Sequence, residues 1–171
     1  DAWSEWEGSE DAARWDAAHR RTLEPAMAAT TLTIDPAHTD VMFSAKHMMV
    51  TTVRGKFHEV AGAVTVDEAD PTTATGSFTI NVASLNTGVE PRDQHLRSAD
   101  FFDAAHHPTA TFTATEVRHK GANGYAVTGD LTIRGITKEV ELEGEVSGLK
   151  KDPWGNERIG LSANGKVNRK Q

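Results

Sequence analysis

The segment from Arg92 to Phe112, RDQHLRSADFFDAAHHPTATF, brings His95, His106 and His107 close in sequence to Asp100 and Asp103, beside the adjacent Phe101 and Phe102. Imidazole and carboxylate are ordinary zinc ligands, so metal binding is the first chemistry to consider. The spacing matches no established ligand pattern such as H-E-x-x-H. Pro108 restricts His107 to extended geometry, and neighbours on an extended segment point apart, which separates His106 from His107. Catalysis has no better support, because the chain lacks a nucleophile elbow, a glycine-rich phosphate loop and a dinucleotide fingerprint. A triad gathered from distant strands leaves no local signature. Two other readings stay open for the segment: a lid over something apolar, or a loop whose phenylalanines plug the core. His38, Asp40 and His47 read as polar residues satisfied at strand ends, with head-group contact as the alternative. Met42, Met48 and Met49 suit either core filling or an adaptable wall.

The elements that must position these groups follow from the rest of the chain. Its 171 residues are enough for one domain with a core and too few for two ordinary ones. A net charge of -7 leaves no basic stripe for a phosphate backbone, so no nucleic-acid partner is expected. No window approaches 18 apolar residues, so no transmembrane segment is expected. The chain has no cysteine, and its start, DAWSEWEGSEDAARW, lacks a basic n-region and an apolar h-region. The expected location is cytoplasmic, or periplasmic or secreted if a signal peptide has been removed.

Residues 1–29 and 30–171 differ in texture. The first part is rich in Ala, Glu, Asp, Arg and Trp and lacks Val and Ile. That composition predicts a helix over residues 9–23, either docked through Trp3, Trp6 and Trp15 or carried as a tail. The second part is all-β. In GSFTINVAS, Phe78, Ile80 and Val82 alternate with Thr79, Asn81 and Ala83. In TKEVELEGEV, Val140, Leu142 and Val146 oppose Glu139, Glu141, Glu143 and Glu145. Tyr125, Val127, Leu131 and Ile133 make a third one-sided strand. KGANGY predicts a hairpin turning at Asn123 and Gly124, and DEADPTT and KDPWGNE predict two more turns. Strands are expected over 30–35, 39–49, 53–67, 74–86, 109–119, 124–134, 137–149 and 157–168. Long antiparallel strands with one apolar face favour a closed barrel over a two-sheet sandwich.

Four blocks in order carry a family resemblance: TIDPAHTDVMFSAKHMMVTTVRGKFHEVAG, the LNTG…RDQHLRSADFFDAAHHPTATF block, VTGDLTIRGITKEVELEGEV and DPWGNERIGLSANGKVNRK. Over residues 31–170 the chain resembles the YceI-like, polyisoprenoid-binding proteins. The resemblance implies an all-β, antiparallel, lipocalin-like extended β-barrel with a short helix near residues 91–100. It also implies a lid in which Leu96, Phe101 and Phe102 face a cavity while Arg92, Arg97 and Asp100 turn outward or pair locally.

Non-enzymatic binding, transport or storage of a long-chain isoprenoid, polyprenyl or quinone in type, is the implied function, with no cofactor and no metal. The implied ligand-binding residues are Val41, Phe43, Phe57, Phe78, Ile80, Val82, Leu96, Phe101, Phe102, Phe112, Leu131, Ile133, Leu142 and Leu161. A barrel for a fatty acid or fatty amide is the alternative within the class, and a ligand-free structural or interaction barrel is the alternative outside it. Family members usually continue past VNRK into a final strand, so an open seam is expected, covered by a neighbour, by a second copy in a homodimer, or by the Trp-bearing N-terminal segment.

Overall fold

A computed structural model describes residues 29–47, 50–67 and 69–168. The expected N-terminal helix, Trp3, Trp6 and Trp15, Met48 and Met49 lie outside the described residues. Among the described residues, ten strands and one α-helix follow one another: β1 (Thr30–Thr33), β2 (Val41–His47), β3 (Thr51–Phe57), β4 (Val60–Val66), β5 (Thr75–Asn81), β6 (Leu85–Asn86), α1 (Glu90–Arg97), β7 (Thr109–His119), β8 (Gly124–Ile133), β9 (Ile136–Lys151) and β10 (Glu157–Gly165). Their pairings are antiparallel, in a seven-stranded sheet ordered β1-β4-β5-β7-β8-β9-β10 and a three-stranded sheet ordered β2-β3-β6. Among the described residues no helix is long and apolar enough to cross a membrane.

Two of the expected strands are each divided. The run 53–67 breaks at His58 and Glu59, so one stretch of chain serves both sheets as β3 and β4. Ser84 fixes this corner, its hydroxyl accepting from the His58 and Glu59 amides at 3.1 Å. The run 74–86 breaks after Asn81, whose side chain accepts from the Ala83 amide and starts a 3-10 turn over Val82–Ser84. Alternation assigns Val82 to the same strand face as Phe78 and Ile80. Instead the turn swings Val82 into the core, where it is fully buried.

The turns follow local chemistry, with one change of residue. Lys120 N–H donates to the Gly124 carbonyl at 2.7 Å, and the positive φ of that loop (82°) belongs to Gly121 rather than to Asn123 or Gly124. Arg134 and Gly135, both at positive φ, form the two-residue connection between β8 and β9. At the β9–β10 tip, Asp152 accepts from the amides of Trp154 and Asn156, the Asn156 side chain and Arg158 Nε, at 2.9 to 3.0 Å. These bonds, led by that from the Asn156 side chain, pull its carboxyl from the ordinary 3.8 down to about 2, against the opposing effect of desolvation.

A depressed native pKa means the turn's contribution is full above 3.8 and is lost as pH falls through about 2. The Trp154 and Asn156 amide resonances are expected to hold their native positions at pH 4 and to titrate together near pH 2. A midpoint near the ordinary carboxyl value would refute the four-bond cap.

The seven-stranded sheet curls until its ends approach. Arg158 of β10 donates to Asp35, just beyond β1, at 2.9 Å, a contact spanning 123 residues. The described sheet is thus a curled half-barrel: β1 and β10 are brought near each other, but no strand pairing joins them among the described residues. Much of its core gathers where the small sheet meets the large one, with Phe57 and Leu85 from the small sheet, Val60 and Ala110 from the large one and Val82 from the turn between β5 and β6, while Phe112 and Ala126 are buried farther along the large sheet.

Candidate lipid-binding face and its lid

Register places the apolar residues of the large sheet on one side. Val60 stands opposite Ile80, Gly62 opposite Phe78, Phe78 opposite Phe112, Phe112 opposite Leu131 and Val127 opposite Leu142. The other side presents Thr31, Thr65, Ser77, Thr79, Thr113, Asp130 and the four glutamates of β9, in the alternation that the sequence predicts. The apolar side is half-buried and the polar side largely exposed, so the sheet curls around its apolar face.

The small sheet adds Val41, Phe43, Val53 and Phe57 on one face, with Met42, Ser44 and Arg54 on the other. Phe43 and Phe57 meet Phe102 from the loop after α1, with ring centroids 5.5, 6.4 and 5.8 Å apart. These three rings join the loop after α1 to the apolar face of the small sheet.

Thr87 and Asp93 hold α1 in place. Asp93 is 2 % exposed, and its carboxylate accepts from the Thr87 amide at 3.0 and 3.1 Å and from the Thr87 hydroxyl. Arg92 grips the same residue, Nε on the Thr87 hydroxyl at 2.7 Å and Nη2 on its carbonyl at 2.9 Å. Arg97 reaches across to the Leu85 carbonyl at 2.5 Å. The loop after α1 folds back on the helix, with Phe102 N–H on the Leu96 carbonyl and Ala104 N–H on that of Arg97. Arg134 anchors its far side through the Phe101 carbonyl at 3.1 Å.

The histidines do not converge. His95 pairs with Asp100 at 3.0 Å and His106 with Asp103 at 2.9 Å, while His107 lies beside Gly135. Among the described residues no three His, Asp or Glu side chains form a cluster that could hold a metal ion.

Within the expected binding set, Val41, Phe43, Phe78, Ile80, Leu96, Phe102, Leu131, Ile133 and Leu142 are half-buried. Phe57 and Val82 are buried at the corner, and Phe112 is buried on the inner face between Phe78 and Leu131. Phe101 departs from the expected inward orientation: it is 37 % exposed and packs edge-on against His95 at 5.0 Å. Leu161 is 56 % exposed near the end of the sheet, opposite Val146. Of the two expected arrangements, turned outward or pairing locally, Arg92 and Arg97 adopt the second: both are half-buried, Arg92 on Thr87 and Arg97 beside Glu90 and on the Leu85 carbonyl. The sequence reading missed Asp93 and Thr87, because nothing in residue type separates a carboxylate on the buried side of a helix from one in water.

The match to the model of the YceI-like domain over residues 32–171 decides the classification. The chain belongs to the YceI-like family. Protein YceI of Shigella sonnei is 42% identical over 130 residues, 76% of this chain and 68% of that protein. Among solved structures, the Campylobacter jejuni YCEI protein superposes with a TM-score of 0.66 at 38% identity, covering 80% of each chain. Burkholderia cenocepacia BcnA superposes with a TM-score of 0.62 at 30% identity, covering 67% of this chain and 72% of the other. The YceI-like fold therefore accounts for the order of the strands, and α1 sits within the matched residues.

Proposed function

We propose that this YceI-like chain binds one long isoprenoid lipid, polyprenyl or quinone in type, along the apolar inner face, as a carrier or reservoir without catalytic activity. The observation that carries this reading is the continuous apolar face of the curled sheet, from Ile80 and Phe78 through Leu131 to Leu142, with the Phe43, Phe57 and Phe102 rings at one side. Membership of a family of binding barrels supports it.

Such a face needs no charged anchor. Each methylene withdrawn from water contributes about 0.8 kcal/mol, so a chain of roughly fifteen carbons offers on the order of 10 kcal/mol before ordering costs. Discrimination then rests on the length and cross-section of the chain more than on its head group.

Mass spectrometry of lipid extracted from the purified protein tests the reading. Prenyl or quinone masses at close to one per chain are the expected result. Straight acyl masses alone would move the protein to the fatty-acid alternative, and a lipid-free protein that takes up neither class would overturn the proposal.

A further inference from the structure

Large side chains on the inner face repeatedly lie over glycines of the neighbouring strand. Phe43 of β2 stands opposite Gly55 of β3, and Phe78 of β5 opposite Gly62 of β4. Phe112 of β7 reaches diagonally across Gly129 of β8. A Cβ at Gly55 would lie 2.6 Å from Phe43 Cζ and 2.8 Å from the Thr87 methyl; at Gly62, 2.7 Å from Phe78 Cδ1; at Gly129, 2.5 Å from Phe112 Cζ. Leu142 covers Gly165 in the same way, with Cδ2 at 2.5 Å.

Real Cβ atoms essentially never come within 3.0 Å of such neighbours. Each ring therefore occupies volume that a side chain on the next strand would fill. It is laid across the sheet instead of standing up from it, and its face is about one van der Waals layer, roughly 4 Å, from the backbone. Phe78 and Phe112 show the result as neighbours, with planes only 14° apart and centroids 6.5 Å apart.

We propose that the phenylalanine–glycine pairs set the bore of the apolar trough, and that Gly55, Gly62 and Gly129 are specificity-determining positions that leave width for a methyl-branched chain. The proposal rests on the lipid reading above. An upright ring at any of these sites would leave room for a straight chain and exclude the branches. Gly55 offers the cleanest test, because the three nearest atoms to its absent Cβ all belong to side chains. At Gly62 and Gly129 the Ser77 and Thr113 carbonyls crowd the same space.

The experiment measures uptake of geranylgeraniol and of hexadecanol by lipid-stripped protein, the two being matched in main-chain length and differing in four methyl branches and four double bonds, with saturated phytanol run beside geranylgeraniol so that the branches alone are read. Gly55→Ala is expected to weaken geranylgeraniol at least about tenfold, the effect of one misplaced methylene in an apolar pocket, and hexadecanol by much less. Adding Phe43→Leu should restore the branched alcohol. Phe112→Leu, which involves no glycine change and keeps the measurement decisive if Gly55→Ala fails to fold, should shift the ratio of the two affinities several-fold toward geranylgeraniol. Equal losses for both alcohols, or a ratio unmoved by Phe112→Leu, would overturn the gauge and leave the lipid reading standing. Wild-type protein that takes up neither alcohol overturns both.

Discussion

Phe78→Asp is expected to empty the protein of lipid while Thr79→Asp, one residue along, leaves the lipid in place. Phe78 lies on the inner face, flanked by Gly62 on β4 and Phe112 on β7, so a carboxylate there sits where a bound chain would pass. It would replace dispersion contacts with a charge that loses its water when a lipid enters, at a cost of several kcal/mol. That is enough to reduce occupancy by two orders of magnitude or more. Thr79 points to the opposite, exposed face and has no route to the trough.

Bound lipid per protein, read by mass spectrometry, is the measurement, with circular dichroism confirming that both variants keep native strand content. A folded Phe78→Asp protein retaining its full lipid content would refute the assignment of the inner face. Loss of lipid from Thr79→Asp as well would show a general effect of charge on the sheet.

The second large effect is expected at Asp93. Alanine there removes the acceptor for both the amide and the hydroxyl of Thr87 and leaves these part-buried donors without it. Breaking such a site costs the lost bonds and the desolvation of the groups left behind, about 3 kcal/mol together. Asp93→Asn keeps the shape but must turn an N–H₂ toward one donor, for an expected loss of about half that. Urea unfolding reads both changes as a lower midpoint with unchanged slope. A fall of less than about 1 kcal/mol for Asp93→Ala would mean that the Thr87 clamp does not secure the helix. The clamp also bears on function, because Thr87 contacts both the helix and, through its methyl, the space over Gly55 beside Phe43. A loosened clamp should therefore speed lipid release as well as lower stability.

Much of this architecture is legible in the chain itself. The alternation of Phe78 and Ile80 with Thr79 and Asn81, and of Val140 and Leu142 with Glu139 and Glu141, reports strands with one dry face, because side chains alternate with period two whatever the partner strand. The turns at Asp70 and Asp152 are similarly local: a carboxylate accepts from amides two to four residues on, and the sequence shows both groups. The existence of α1, by contrast, is expected from the family resemblance and not from any local pattern.

Other features require the assembled sheet. Residue type does not reveal that β3 ends at Phe57, since the corner at His58 is held by Ser84, 26 residues away. Val82 leaves the strand period because Asn81 caps a turn, and Asp93, on α1 itself, is buried where the helix packs against Thr87. Phe43, Phe78 and Phe112 are apolar in any reading; that each lies over a glycine depends on register, since a slip of one residue would turn every such side chain to the opposite face. The contact between Asp35 and Arg158 depends on the accumulated twist and coiling of seven strands. Periodicity is a property of neighbours along the chain, whereas register, burial and curl are set by groups that meet only after the strands have paired.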